Sequence, residues 1–341
     1  MNRGYHIRWN RPSHATSPMA LDLLVCPACR TFGPDRIDVK TLEPSGEDLL
    51  ACECGRRYPI VDGVPIVMAD PSGYLRAEMA TVVERDMSPE LAAALVEHGP
   101  DDAPYARMLE HLSIYLDAHW GDRAEPAPGG PGGFALAPFV ERIATLPRVE
   151  LAAELGCSVG RITAELPADH VMALDMHAGA VRRARRLLDG ERVPYARRMI
   201  GRTYMPAVAT GARPKAASCK LVCGDALDPP FVPGAFDRVV ALNMLDSVSH
   251  PRRLLAVIDK LTRVGGEVVL ASPYAWQSQV MHEDERIGGA DPAAAVAEIL
   301  RSGLSAPYQI EDESELSWTL RRDARSAVTY QAHYLRARKG T

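Results

Sequence analysis

Val149 to Arg161 reads VELAAELGCSVGR, and this stretch decides the fold. Its apolar run is a buried strand that ends on an acidic residue, Glu154, and on a glycine-rich turn, Gly156 to Gly160, that opens a helix. A turn of this kind at the carboxyl end of a sheet lets backbone approach a ligand closely and suits a nucleotide-like cofactor. Asp175 ends the next apolar run, HVMALD, about twenty residues further on, where a carboxylate can take both hydroxyls of a ribose. Asp225 follows a third run, KLVCGDAL, where an acidic residue after a strand end can meet an adenine amino group.

The spacing alone also admits a nicotinamide enzyme, so the turn has to arbitrate. It runs Glu154-Leu-Gly156-Cys157-Ser158-Val-Gly160 and lacks the G-x-G-x-x-G pattern that cradles a pyrophosphate. The motif resembles the first motif, E/D-x-G-x-G-x-G, of the class I S-adenosylmethionine (SAM)-dependent methyltransferases, with Ser158 in place of the middle glycine. Serine accepts a positive φ less readily than glycine. SAM carries no phosphate, and its ammonium and sulfonium favour a nearby carboxylate such as Glu154. The resemblance implies a methionine-side wall from Gly156, Cys157, Ser158 and Gly160. It places the ribose on Asp175, the adenine along Met176, and the adenine amino edge at Asp225 and the Ala226 backbone. Asn243, at the end of FDRVVALN, would lie where the chain passes the sulfonium.

Strands and helices alternate from 149 onward: strand 149–155, helix from 160, strand 170–174, helix 178–188, strands 219–223 and 236–242, helix 251–262 and strand 266–271. This order argues an α/β, Rossmann-like, mainly parallel sheet. Two strand-like runs, 315–322 and 327–336, can supply the family's terminal antiparallel hairpin and complete seven strands. The division expected is an arm at 1–20, a small β-rich unit at 21–70, a helical connector with a Pro/Gly linker at 71–133, and a methyltransferase domain at 134–341.

The unit at 21–70 places Cys26-x-x-Cys29 before Cys52-x-Cys54, which matches a zinc ribbon in which paired thiolates share one tetrahedral ion. Its closing phrase YPIVDGVPIVM resembles the small zinc-binding activator subunits of certain methyltransferases, although those usually carry C-x-x-C at both ends. A metal-free β-rich packing module is the other reading. The remaining cysteines, Cys157, Cys219 and Cys223, sit in or beside apolar runs and read as buried small hydrophobes.

With 341 residues, 47% of them hydrophobic and 24% charged, the chain is of ordinary globular composition. Its first twenty residues lack an apolar core and do not read as a signal peptide, and no run is long enough to span a membrane. A cytoplasmic protein is expected, of undefined oligomeric state. The net charge of -5 argues against a large nucleic-acid footprint, yet Arg182 to Lys220 holds eleven Lys and Arg against two acidic residues.

That basic stretch contains YARRMIGRTY, in which Arg197 and Arg198 lie between Tyr195 and Tyr204. Such a set suits a carboxylate, a phosphate or a stacked base. On the acceptor side, NMLDSVSHP offers Asp246 as a general base or a helix cap. Tyr274 and Trp276, in SPYAWQ, either shape an acceptor pocket or pack the top of the sheet. SPYAW, the later Ile287 to Gly289 and LDSVSHPRRLL resemble the C-terminal methyltransferase domain of ovothiol-biosynthesis enzymes, which handle a small histidine-derived acceptor. A small anionic or zwitterionic methyl acceptor is therefore expected. An RNA substrate held with the zinc ribbon and a non-catalytic SAM-binding scaffold are the alternatives.

Overall fold

The computed structural model describes residues 23–32, 37–100, 103–130 and 132–340; the arm expected at 1–20 lies outside them. Short strands make the first unit: β1 (Thr31–Phe32) and β2 (Ile37–Asp38) form one pair, while β3 (Glu43–Pro44), β4 (Leu49–Ala51), β5 (Arg57–Val61) and β6 (Val64–Pro65) form an antiparallel sheet. Helices α1 (Pro71–Val82), α2 (Pro89–His98) and α3 (Pro104–Trp120) follow, then β7 (Ala124–Glu125) and α4 (Ala137–Ala144).

The rest comprises β8 (Val149–Leu155), α5 (Arg161–Glu165), β9 (Ala168–Asp175), α6 (Ala178–Leu188), β10 (Arg192–Ile200), β11 (Thr203–Thr210), β12 (Ser218–Cys223), β13 (Phe236–Leu242), α7 (Pro251–Leu261), β14 (Thr262–Ser272), α8 (Pro292–Ser302), β15 (Tyr308–Arg321) and β16 (Ala327–Lys339). Seven of these strands form one sheet in the order β12-β9-β8-β13-β14-β16-β15. The first five are mutually parallel, and β16 and β15 close the sheet antiparallel. The α/β sheet with its terminal hairpin is the one the sequence predicts.

Burial explains the strand types. β8 and β13 are buried over most of their length, with the charged Glu154, Asp237 and Arg238 buried among apolar residues. β15, at the edge, alternates buried and exposed positions. The order reverses between β8 and β13, which puts the ligand-binding crevice of an open α/β sheet at the carboxyl ends of these two strands.

The first unit is joined to the main sheet through backbone. Val67 N–H donates to Cys223 O at 2.9 Å and Val25 N–H to Pro230 O at 3.0 Å, so the unit extends the sheet beyond β12. Its buried Leu24, Val25 and Tyr58 share a core with Phe231, Val232 and Phe236.

The helical connector begins at Pro71, because the Asp70 carboxylate caps Gly73 N–H at 3.0 Å and Pro71 fits the first helical position. Two local differences from the sequence reading have physical causes. The stretch expected as a linker is anchored at two points: β7 pairs with β11, and Gly132 has so little room that a Cβ there would lie 2.3 Å from Thr319 O. The basic stretch at 192–210 folds into the β10–β11 hairpin, which leans on α2 and α3.

Candidate active site

The carboxyl ends of β8, β9, β12 and β13 bring most of the expected cofactor residues together. After β8, Gly156 and Cys157 donate their N–H groups to Leu174 O at 2.8 and 2.9 Å, fastening the turn to β9. Gly156 has φ +82°, and a Cβ there would meet the Met244 sulfur at 2.1 Å, so this position requires glycine. Ser158 adopts the left-handed backbone that the missing glycine would have taken freely, at φ 47°. Its N–H donates to Asp175 Oδ2 at 2.9 Å, while Asp175 Oδ1 accepts from His177 N–H at 2.9 Å. The Asp175 carboxylate thus stays fixed at the end of β9, with lone pairs remaining for further donors.

Cys157 is fully buried, so it serves the turn by its backbone. Gly160, at φ +82°, precedes α5 and packs on Ala184. Met176 is 56% exposed beside Asp175. Asp225 Oδ1 accepts from Leu227 N–H at 2.8 Å, and Ala226 is buried next to it. Asn243 is also left-handed, at φ 55°, and its N–H is held by Ala271 O at 2.7 Å.

Two buried oxygens in this crevice, Ser158 Oγ and Asn243 Oδ1, have no hydrogen-bond partner. An unpaired buried polar atom is costly unless a ligand satisfies it. Glu154 is buried behind the turn and accepts from Thr163 Oγ1. Burial pushes its carboxyl up to about 8, with Asp175 raising it further and the Thr163 hydroxyl opposing. A buried carboxyl of this kind is a site for a positively charged group.

Helix α3 covers the crevice, and the sequence reading did not place its residues there. His111, Tyr115 and His119 recur at helical spacing along one face. His111 stacks on His177 at 5.1 Å and meets the Tyr115 ring at 4.4 Å. Burial lowers His111 to about 4, helped by His177, and raises Tyr115 to about 12, with Asp175 and Asp246 adding to the shift. The end of α3 clamps the turn: Trp120 Nε1–H donates to Val159 O at 2.8 Å, and Arg161 makes a bidentate pair with Asp122 at 2.7 and 3.0 Å.

Asp246, Tyr274 and Trp276 lie together after β13 and β14. Ser272 Oγ donates to Asp246 Oδ1 at 3.1 Å and accepts from Tyr274 N–H at 3.1 Å. Burial raises the Asp246 carboxyl. Tyr274 has φ 53°, and its ring meets Trp276 at 5.6 Å.

The four basic-segment residues are elsewhere. Asp117 of α3 accepts from Tyr195 Oη and from Arg197 Nε at 2.9 Å, and Arg321 Nη1 reaches the same carboxylate at 2.9 Å. Arg198 pairs with Glu110, and Tyr204 packs on the small cluster under α2. The RRARR face of α6 is paired as well, Arg182 to Asp86 at 3.0 Å and Arg183 to Glu84. The sequence separations, 78 and 80 residues for the two Asp117 partners, left no local signal of these pairings.

In the first unit, Cys26, Cys29, Cys52 and Cys54 place their sulfurs within 4.8 Å of one another. Cys26 to Cys54 is 4.0 Å and Cys29 to Cys52 3.7 Å. A tetrahedral Zn–S4 site with bonds of about 2.3 Å has sulfurs about 3.8 Å apart, so the set fits zinc. Tyr58 Oη lies 3.1 Å from Cys26 Sγ, placed to donate to a thiolate and orient it.

Residues 153–270 match the family model described as a methyltransferase domain. This segment is a methyltransferase domain. No curated protein matches the chain. Among solved structures it is similar to the N-methyltransferase NodS from Bradyrhizobium japonicum WM9 in complex with S-adenosyl-L-homocysteine, at 13% identity and TM-score 0.38, covering 75% of this chain and 100% of that one. It is similar to a SAM-dependent methyltransferase from Methanosarcina mazei, at 16% identity and TM-score 0.40, covering 61% and 99%. It is also similar to a chain in the complex of the Haloferax volcanii Trm112 methyltransferase activator with a methyltransferase, at 14% identity and TM-score 0.42, covering 70% and 95%. Among the described residues no helix is long and apolar enough to cross a membrane.

The crevice of the methyltransferase domain fits SAM: Ser158 and Asn243 offer unpaired oxygens, Glu154 a buried carboxyl, and Asp175 a fixed acceptor. Glu154 also sets a pH dependence. Its folded value of about 8 lies above the ordinary 4.5, so between these values the folded chain holds a proton that the unfolded chain has lost. Stability of the ligand-free chain is expected to fall as pH rises through this window, while affinity for the cationic cofactor rises. Thermal melts of wild type and Glu154→Gln across pH 5 to 9 check it; the same pH profile in both would contradict the assignment.

Proposed function

We propose that this chain transfers the methyl group of SAM to a heteroatom of a small, amine-bearing metabolite, zwitterionic or cationic. The assignments on which this rests are Asp175, Met176, Asp225 and Ala226 for the nucleoside. Glu154, Gly156, Cys157, Ser158, Gly160 and Asn243 take the methionine end, and Asp246, Tyr274 and Trp276 the acceptor. SAM supplies an electrophilic methyl, and the residues contribute alignment and exclusion of water.

The observation that carries the acceptor class is the setting of Tyr274. Its hydroxyl is joined through His333 to the Glu313 carboxylate, Ser272 ties Asp246 to its backbone, and Trp276 adds an aromatic face. Carboxylates beside aromatic rings favour a cation. The Arg/Tyr segment, one of the grounds for the anionic-acceptor and RNA expectations, has Tyr195 and Arg197 engaged by Asp117 and Arg198 by Glu110. Tyr195, Arg197, Arg198 and Tyr204 accordingly support the helix that covers the site. Asp246, joined to Ser272, orients the loop as well as facing the acceptor.

The test is production of S-adenosylhomocysteine by the full chain supplied with SAM and either a small-metabolite extract or an RNA extract. Turnover with the metabolite extract is expected. Turnover with RNA alone would overturn the acceptor class, and none with either would favour a SAM-binding scaffold.

A further inference from the structure

The far end of the sheet carries a second chain of polar groups that the cofactor does not use. β16 runs between β14 and β15, and its register places His333 opposite Ser272 on one side and Glu315 on the other. His333 is buried, and both ring nitrogens are engaged: Nδ1 lies 2.8 Å from Tyr274 Oη and Nε2 3.0 Å from Glu313 Oε1. Phenol to imidazole to carboxylate is a continuous path. It begins at the acceptor side and ends on Glu313, whose side chain is 42% exposed.

The geometry fixes the roles. A phenol donating to Nδ1 leaves Nε2 protonated and donating to Glu313, which selects one neutral tautomer of His333. Burial raises the Tyr274 phenol, as do the carboxylates of Glu315, Glu313, Asp246 and Asp291, so the hydroxyl stays protonated in the resting site and passes protons on rather than standing as an anion. Tyr274 is held by more than this bond. Its backbone is left-handed at φ 53°, and its N–H is fixed by Ser272 Oγ, which also binds Asp246. Strain of this kind persists where surrounding structure fixes a side chain for a purpose.

We propose that Tyr274, His333 and Glu313 form a proton relay that deprotonates the ammonium group of the methyl acceptor. The inference rests on the amine-bearing acceptor proposed above. An ammonium N–H donates to Tyr274 Oη as the phenol proton moves to His333 Nδ1, leaving a neutral amine, a neutral phenol and an imidazolium that faces Glu313. The amine lone pair then forms the nitrogen–carbon bond as the carbon–sulfur bond of SAM breaks, with its electron pair remaining on sulfur. The His333 proton leaves through Glu313 to water. Tyr274 is the catalytic residue of this set; His333 and Glu313 are positioning residues that act through it.

The test compares wild type with His333→Gln, Glu313→Gln and Tyr274→Phe, using SAM and the metabolite fraction that supports S-adenosylhomocysteine formation by the wild-type chain. General-base assistance is worth about 10²–10⁴-fold, so kcat of His333→Gln at pH 7 is expected to fall by about 100-fold or more. The loss should shrink as pH rises and the amine arrives already neutral, with SAM affinity unchanged. Glu313→Gln, at the exposed end where folding is least at stake, is expected to show the same pH-dependent recovery with a smaller loss. A loss equal at every pH, or none, would overturn the relay while leaving methyl transfer intact. If no amine-bearing fraction supports turnover by wild type, the acceptor class fails, and the relay with it.

Discussion

Replacing Asp117 by alanine is expected to destabilise the chain by about 3–5 kcal/mol, the usual cost of leaving a buried charge without its partner. Asp117 is buried on α3, with Arg197 of the β10–β11 hairpin and Arg321 of β15 on its two oxygens and the Tyr195 hydroxyl beside them. Removing the carboxylate strands two guanidiniums in a site they left water to reach. The same carboxylate ties together α3, the β10–β11 hairpin and β15, so α3 should loosen over the crevice and cofactor affinity should fall with stability. Urea unfolding measures it: the midpoint should drop at unchanged slope. A change below about 1 kcal/mol, the worth of an exposed pair, would contradict the structural role assigned to this cluster. Replacing Asp117, Arg197 and Arg321 together with apolar residues of similar volume should recover much of the loss.

Removal of zinc is the second large effect. The unit from Leu23 to Met68 has strands of two to five residues, too short for independent stability, and its core is continuous with main-domain residues such as Phe231, Val232 and Phe236. Four sulfurs within 4.8 Å need a cation to hold them there once they are thiolates. Metal analysis is expected to find about one zinc per chain. Chelation, or Cys26→Ser with Cys52→Ser, should unfold the unit. It should also release the backbone bonds of Val25 and Val67 to the edge of the sheet, seen as rapid amide exchange there. Zinc-free protein with the same melting temperature and the same protected amides would remove the metal from the account.

The sheet was legible because its strands carry their own signals. VELAAE, HVMALD and FDRVVALN are runs of strand length that end on polar residues, Glu154, Asp175 and Asn243, and β8, β9 and β13 occupy these runs. The crevice was legible for the same reason: Glu154, Asp175, Asp225 and Asn243 sit one at each strand end, and periodicity alone fixes such positions. The β10–β11 hairpin was not. Its Arg and Tyr residues read as a ligand-binding surface, because what neutralises them, Asp117 and Glu110, comes from a helix far back in the chain. His111 carries no local signal of its role, since its ring gains a partner only where α3 packs against His177, 66 residues on. His333 was invisible, since its meaning depends on register with β14 and β15, and register is a property of the assembled sheet.

The central claim is that the crevice at the ends of β8 and β9 binds SAM, and calorimetric titration of the full chain with SAM tests it most directly, run on wild type and on Asp175→Ala. The account predicts one micromolar site in wild type. In the variant it predicts a loss of at least about 100-fold, since two hydrogen bonds to a charged acceptor are worth about 1.5–3 kcal/mol each. No binding by wild type, or equal affinity in the two proteins, would contradict it.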